Sequence, residues 1–344
     1  MADWVKRATV GGNPMVSGNR VTWLWRGRSA PALVGDFNQW NARRAPKFQR
    51  VGRNLHACTL TLPADAYIEY AFLRNGRRTR DPFNPRTTPN GLGDTNHFFH
   101  MPGAGPTPLA RRTPSGPRGT LTRHVVDSQF LTASRQRAVA LYRPPAPGPY
   151  PLLVVWDGTD YLRRAKLAAM VDNLIAHKRI RPLAMALIAN GGAARGVEYG
   201  CSDLTLVFLK REILPLARKH LNLLSLRKHP GAYGVLGASM GGLMALYTGL
   251  RMPEVFGRVL SQSGAFEFPR HAAVTTELVQ RGPRRPLRIW MDAGRFEWLL
   301  PINRRMARLL KSKRYAVTYH EFNAGHNYPA WRDDVANGLE ELFG

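Results

Sequence analysis

The sequence is poor in cysteine, in acid and in long apolar runs. Of 344 residues only Cys58 and Cys201 are cysteines, and so distant a pair excludes a disulfide-stapled scaffold. No apolar run approaches the roughly 20 residues needed to span a bilayer. The opening MADWVKRATVGGNPMVSGNR holds no apolar segment of the kind a secretory leader carries. A cytoplasmic protein that does not enter a membrane is the expectation. Metal ligands do not cluster either: His97 and His100 flank Phe98-Phe99 without further candidates nearby, so neither a metal nor another cofactor is expected. Acid is scarce against base, 23 Asp and Glu facing 50 Lys and Arg, for a net charge of +27. Such an excess favours anionic partners. The basic residues fall in scattered pairs, among them Arg43-Arg44, Arg163-Arg164 and Arg304-Arg305, without a zinc-finger, basic-zipper or aromatic-glycine RNA pattern. Nucleic acid is therefore not the expected partner; an Arg-rich solvated surface and an anionic small-molecule substrate are the two readings that remain.

What is present divides the chain. Residues 1–103 carry short alternating runs such as VTWLWR from Val21, HACTLTL from His56 and YIEYAFL from Tyr67, separated by turn residues, which is the pattern of a small all-β sandwich. Residues 104–119, rich in Pro, Gly and Arg, have neither period and read as a linker. From 120 to 344 strand-like runs alternate with helical ones. A helical stretch is expected over Arg163–His177, and helical spacing runs over Leu204–His220. This alternation predicts an α/β fold, a mostly parallel doubly wound sheet, whose ligands bind beyond the carboxyl ends of the strands.

At one such end stands GVLGASMGGLMALYTGL from Gly234. Ser239 lies in Gly-Ala-Ser-Met-Gly, a G-x-S-x-G between an apolar strand and a helix, where small flanking residues permit a sharp turn that exposes the hydroxyl. The competing expectation is a serine that merely caps the helix. A serine nucleophile requires a base and an orienting acid. His326 follows the last strand in a Gly-containing loop and is the candidate base. Two acids follow the preceding strand in MDAGRFEWLL: Glu297, which lies past Gly294 and can turn toward a histidine, and Asp292 as the alternative. The oxyanion hole is expected from the N–H of Met240 and from Gly158 or Thr159 in the loop WDGTDY.

The second half resembles the esterase branch of the α/β-hydrolases, and within it the enterochelin (ferric enterobactin) esterases. The matching segments include LLVVWDGTDY, FLKREILPLARKH, GASMGGLMALYTGLRMPEVFGRVLSQSG and YHEFNAGHNYPAWRDDVANGL. The first half, through PALVGDFNQWN, LPADAYIEYAF and RDPFNP, is similar to the Ig-like sandwich that precedes such esterases. The resemblance implies Ser239 as nucleophile, His326 as base and Glu297 as acid. It also places Arg195 and Tyr199, from Arg-x-x-Glu-Tyr, in a loop lining the site, with an Arg195–Glu198 surface pair as the competing expectation.

The implied substrate is a ferric catecholate siderophore, which is bulky, aromatic and anionic. Tyr199, Trp298 and Tyr328 are candidate stacking surfaces beside it, and Trp156 and Trp331 either join them or belong to the core; Arg195 and Arg295 are candidate cations. Two other functions are consistent with parts of the sequence. One is an esterase for feruloyl or other carboxylic esters. The other is a non-catalytic glucan-binding protein with Trp23, Trp25 or Trp40 as its platform.

Overall fold

The computed structural model describes residues 8, 12–91, 93–113, 116–267 and 272–344. Half of the opening stretch read above for a leader thus lies outside the described residues, as do positions 114 and 115 of the linker. The chain forms two compact units. The first takes in Met1–Pro106 together with Gly294–Trp298 and Phe322–Ala330; the second holds Thr107–Ala293, Leu299–Glu321 and Trp331–Gly344.

The first unit is built on strands β1 (Met15–Ser17), β2 (Arg20–Arg26), β3 (Ala32–Gly35), β4 (Gln49–Gly52), β5 (Leu55–Thr61), β6 (Tyr67–Arg74), β7 (Arg77–Thr79), β8 (Thr87–Pro89) and β9 (Thr95–His100). One sheet runs β1-β2-β5-β4 and the other β3-β6-β9-β8, with β7 on β6. Inward-facing Val21, Trp23 and Trp25 meet Ile68, Tyr70 and Phe72 in one core, where Trp23 lies edge-on to Tyr70 and Phe99. Period-2 alternation puts these side chains on one face. Yet β6 is buried from Tyr67 to Phe72 on both faces. On its second face Tyr67 clusters with Phe98, Phe322, Ala324 and Ala330, and its N–H donates to the Asn323 carbonyl at 3.0 Å.

The second unit carries an eight-stranded sheet in the order β10-β11-β13-β12-β14-β15-β16-β17, from β10 (Thr120–Asp127), β11 (Gln136–Arg143), β12 (Leu152–Val155), β13 (Ala184–Ile188), β14 (Tyr233–Ala238), β15 (Phe256–Gln262), β16 (Arg288–Gly294) and β17 (Ala316–Phe322). The first two strands enter antiparallel, and β13 through β16 are parallel. This is the α/β-hydrolase sheet. Strands β12, β13 and β14 are buried throughout, as expected for strands covered on both faces.

The helices are α1 (Gly158–Arg163), α2 (Leu167–Ala176), α3 (Arg195–Glu198), α4 (Asp203–Phe208), α5 (Leu214–His220), α6 (Met240–Arg251), α7 (Ala272–Arg281), α8 (Leu300–Ser312) and α9 (Tyr328–Phe343). The two stretches read as helical form helices, one with a break before it and one with an irregular turn inside it. The helical stretch after Trp156 is broken where Lys166 adopts a left-handed φ of 54°. That around Arg211 passes through a π turn, Leu209–Ile213. Pro215 sits in the first turn of α5 and has no N–H for the Arg211 carbonyl, which accounts for the widened turn. Four residues of the Pro/Gly/Arg-rich stretch, Thr107, Leu109, Arg111 and Gly119, are tied to the second unit. Asn173 donates to the carbonyls of Leu109 and Arg111 at 2.7 and 2.8 Å, Asp172 accepts from the Gly119 N–H at 2.8 Å, and Asp333 from that of Thr107 at 2.9 Å.

Candidate active site

Strand β14 delivers Ser239 at its carboxyl end with φ 58° and ψ −120°, and the hydroxyl makes no capping bond to α6. The capping alternative therefore does not describe this serine. A positive φ in a residue with a side chain is strained and persists only where the surroundings hold it. They do so here by close packing. A Cβ at position 237 would collide with the Gly241 backbone, and the Ser239 N–H and carbonyl are tied to Gln262 O at 2.9 Å and Leu243 N at 3.0 Å. Helix α6 is buried from Met240 to Leu250, so the small residues around the turn let an apolar helix lie directly on the sheet. Ser239 alone of positions 233–250 is partly open to solvent.

Gly158, the first residue of α1, is buried, and a side chain there would strike the backbone of Leu187 and Ile188. Its neighbour Thr159 is exposed. Met240 is buried at the first position of α6. The N–H groups at the start of a helix have no intrahelical acceptor, so all three candidates keep their donors at a loop end. Asp157, just before them, is not among the residues the sequence singled out. It is buried and left-handed, with φ 54°. The strand-to-Asp-Gly junction was the available signal, since Asp tolerates that region.

Arg195 lies close by and grips Asp157 with two bonds, Nε to Oδ1 at 2.7 Å and Nη2 to Oδ2 at 2.6 Å. The Arg195–Glu198 pair does not form: Glu198 is held by Arg137 at 2.8 and 2.9 Å in a buried bidentate pair. Tyr199 is 1% exposed, with its hydroxyl accepting from the Asp157 N–H at 3.0 Å and its ring beside Trp156. It is a pillar under the loop, not a stacking surface, and the expectation for it is corrected. Trp156 and Trp331 are likewise core residues.

In the first unit His326 and Glu297 meet. Nδ1 of His326 lies 2.6 Å from Oε2 of Glu297, and the other carboxylate oxygen accepts from the Gly294 N–H at 3.2 Å. Glu297 is 1% exposed, so the ring is held by a buried acid. Trp298 is 53% exposed and lies over His326 with ring centroids 4.8 Å apart. Tyr328, 7% exposed, is largely withdrawn from solvent, which corrects its place among the stacking surfaces; Arg295 is exposed. Asp36 of the sandwich was also missed. Its carboxylate occupies the space a Cβ at Gly325 would need, accepts from the Glu69 N–H at 2.8 Å and from Trp40 Nε1 at 3.1 Å. Burial, with Glu69 beside it, raises its pKa well above the usual carboxylate range.

Asp292 is placed elsewhere. It is fully buried in the second unit, accepting from Gln262 at 2.9 Å and Trp290 at 3.2 Å, and burial next to Asp334 raises its pKa. A carboxyl so held favours its neutral form, which suits a structural bond better than support of an imidazolium. The glucan platform is not available as drawn from the sequence. Trp23 and Trp25 are buried core residues, and Trp40 lies under the Arg78 guanidinium, 5.2 Å from its ring centre. Among the described residues no group of His, Cys, Asp and Glu suits a metal ion, and no helix is long and apolar enough to cross a membrane.

Residues 131–342 match the model of a protein family described as "Putative esterase". Among curated proteins the chain is similar to an iron(III) enterobactin esterase of Dickeya dadantii, 29% identical over 283 residues. That alignment spans 76% of this chain but 64% of the relative, so the chain accounts for somewhat less than two thirds of it. The fold is similar to the enterobactin esterase FES of Shigella flexneri solved in the presence of enterobactin, with TM-score 0.77, 24% identity, and 94% and 92% of the two chains covered. It is similar as well to the ferric enterobactin esterase of Salmonella typhimurium, with TM-score 0.79, 21% identity, and 99% and 98% covered.

Proposed function

The chain belongs to the "Putative esterase" family, and from that membership we propose that it is a serine hydrolase cleaving the ester backbone of a ferric catecholate siderophore of the enterobactin type. In this reading Ser239 Oγ attacks the ester carbonyl and His326 takes its proton. Glu297 holds the ring by Nδ1 and stabilises the imidazolium. The N–H of Met240, with that of Gly158 or Thr159, receives the charge that develops on the carbonyl oxygen. His326 then returns the proton to the leaving alkoxide, and water, activated by the same ring, frees the acyl-enzyme. Iron arrives as part of the substrate and takes no part in the bond cleavage.

The observation that carries the proposal is Ser239 itself, strained at φ 58° with a hydroxyl that caps nothing. The family alone leaves the substrate open. The trilactone is favoured by the relatives named for it, by the net charge of +27 and by Trp298 exposed beside the base, a surface on which a catechol ring can stack. Two unpaired cysteines suit a reducing compartment such as the cytoplasm.

The test is incubation with ferric and iron-free enterobactin and mass analysis of the products. Linear dihydroxybenzoylserine esters should form with the wild type and not with Ser239→Ala. The variant should still bind the ferric chelate, more weakly as salt rises. Full hydrolysis by Ser239→Ala would end the proposal. Turnover of feruloyl or p-nitrophenyl esters with an untouched trilactone would transfer the substrate to the second class.

A further inference from the structure

Asp157 is held at a left-handed φ of 54°, and polar contacts from its own turn and from the loop after β13 hold it there. Arg195 grips both carboxylate oxygens at 2.6 and 2.7 Å. Asn190 adds a bond to Oδ1 at 2.9 Å. The backbone N–H donates to Tyr199 at 3.0 Å, and the carbonyl accepts from Asp160 at 2.9 Å. The clamp also touches the elbow. Arg195 Nη2 is 3.4 Å from the carbonyl of Ala238, the residue before Ser239, and a Cβ at Gly241 would lie 3.1 Å from Asp157 Oδ2. One ion pair thus joins the loops that follow β12, β13 and β14.

We propose that Arg195 is a positioning residue: by holding Asp157 with both arms of its guanidinium it sets the turn that aims the Gly158 and Thr159 N–H groups at the oxyanion on Ser239. This rests on the serine-esterase reading and departs from the substrate contact that the family resemblance implies for this arginine. Three physical points favour it. The Asp157 side chain is 2% exposed against 28% for Arg195, so the pair faces inward. A guanidinium committed to a buried carboxylate is locally neutral and offers little net charge to an anionic chelate. The planar fork matches a carboxylate in a way a lysine cannot. Without Arg195, a buried carboxylate would stand unpaired beside the place where negative charge develops.

The test compares wild type with Arg195→Ala, Arg195→Lys and Arg195→Ala/Asp157→Asn on two substrates, the small neutral p-nitrophenyl acetate and the ferric trilactone. All rates are taken per Ser239 titrated by a fluorophosphonate, so that misfolded protein does not count. Positioning requires kcat of Arg195→Ala to fall about 10- to 100-fold on both substrates, as small misplacements of catalytic groups do, with KM within about twofold. The lysine variant should be intermediate. The double variant should recover part of the loss, because it removes the stranded charge. A rise in KM confined to the ferric trilactone, or a loss that vanishes per titrated site, would overturn the proposal. Wild-type inactivity on every ester would defeat the esterase reading and this proposal with it. An active wild type with Arg195→Ala unchanged would overturn the clamp alone.

Discussion

Glu297 and His326 are joined through Oε2 and Nδ1 at 2.6 Å, and the carboxylate's second oxygen accepts the N–H of Gly294. Both ends of the acid are therefore fixed, one by backbone and one by the ring it orients. A buried carboxylate in this position selects the tautomer with the proton on Nδ1 and stabilises the ring once it is charged.

Replacing Glu297 by Gln keeps the shape and removes the charge. The expected result is a fall in kcat of about 10²- to 10⁴-fold with KM little changed, as for other triads that lose the orienting acid. Asp292→Asn should leave kcat within about twofold, since Asp292 is bonded to Gln262 and Trp290. Steady-state kinetics of the two variants on one ester decides between the acids.

The thiols supply a second check on the nucleophile. Burial pushes Cys58 up to about 11 and Cys201 up to about 12, so both are protonated at neutral pH and unreactive as thiolates. Iodoacetamide at pH 7.5 should leave at least about nine-tenths of the activity, whereas a fluorophosphonate should abolish it, mass spectrometry placing the adduct on Ser239. Rapid inactivation by the alkylating agent would point to a thiol near the chemistry.

Much of this arrangement was legible in the sequence, and the rest for identifiable reasons was not. Alternation of apolar runs with helical spacing disclosed the parallel sheet, and order along the chain made Ser239, His326 and one of two acids, Glu297 or Asp292, the candidates. Patterning reports which face of a strand is apolar, not what covers it. The burial of Glu69, bonded to Tyr67 at 3.1 Å and Asn96 at 2.6 Å, was thus invisible, as was the packing of Tyr67 on Phe322, Ala324 and Ala330. The partners of arginine were equally hidden. Arg195 and Glu198 are neighbours at helical spacing, yet Arg195 reaches back 38 residues to Asp157 and Glu198 reaches 61 to Arg137. Long side chains in a cationic protein have many possible partners, and only the fold chooses among them.

The contact between Asp36 and Gly325 yields a third prediction. Gly325 precedes His326, and any side chain at 325 would enter the space of the Asp36 carboxylate, itself fixed by Glu69 and Trp40. Gly325→Ala must move the histidine loop. The expected loss in kcat is about 10- to 100-fold with the melting temperature lowered by only a few degrees. Asp36→Ala placed beside it should restore part of the rate by opening room for the methyl group. An unchanged kcat in Gly325→Ala would show that the loop's position does not depend on this contact.

The raised pKa of Asp292 also makes a prediction about stability. Burial and the neighbouring Asp334 favour its neutral form in the folded chain, whereas in the unfolded chain it titrates near the ordinary value of about 3.9. Above that value and below the folded one, the native state holds a proton that the unfolded chain has released. Stability therefore falls as pH rises through this window, and the contribution is fully present only below the unfolded pKa. Asp292→Asn keeps an acceptor for Gln262 and Trp290 and removes the titration. Its stability in urea should decline less steeply than the wild type's as pH rises above 4, by up to about 1.4 kcal/mol per pH unit at the steepest. Parallel curves for the two proteins would mean that Asp292 ionises alike in the folded and unfolded states, and that the neutral carboxyl assigned to it here is wrong.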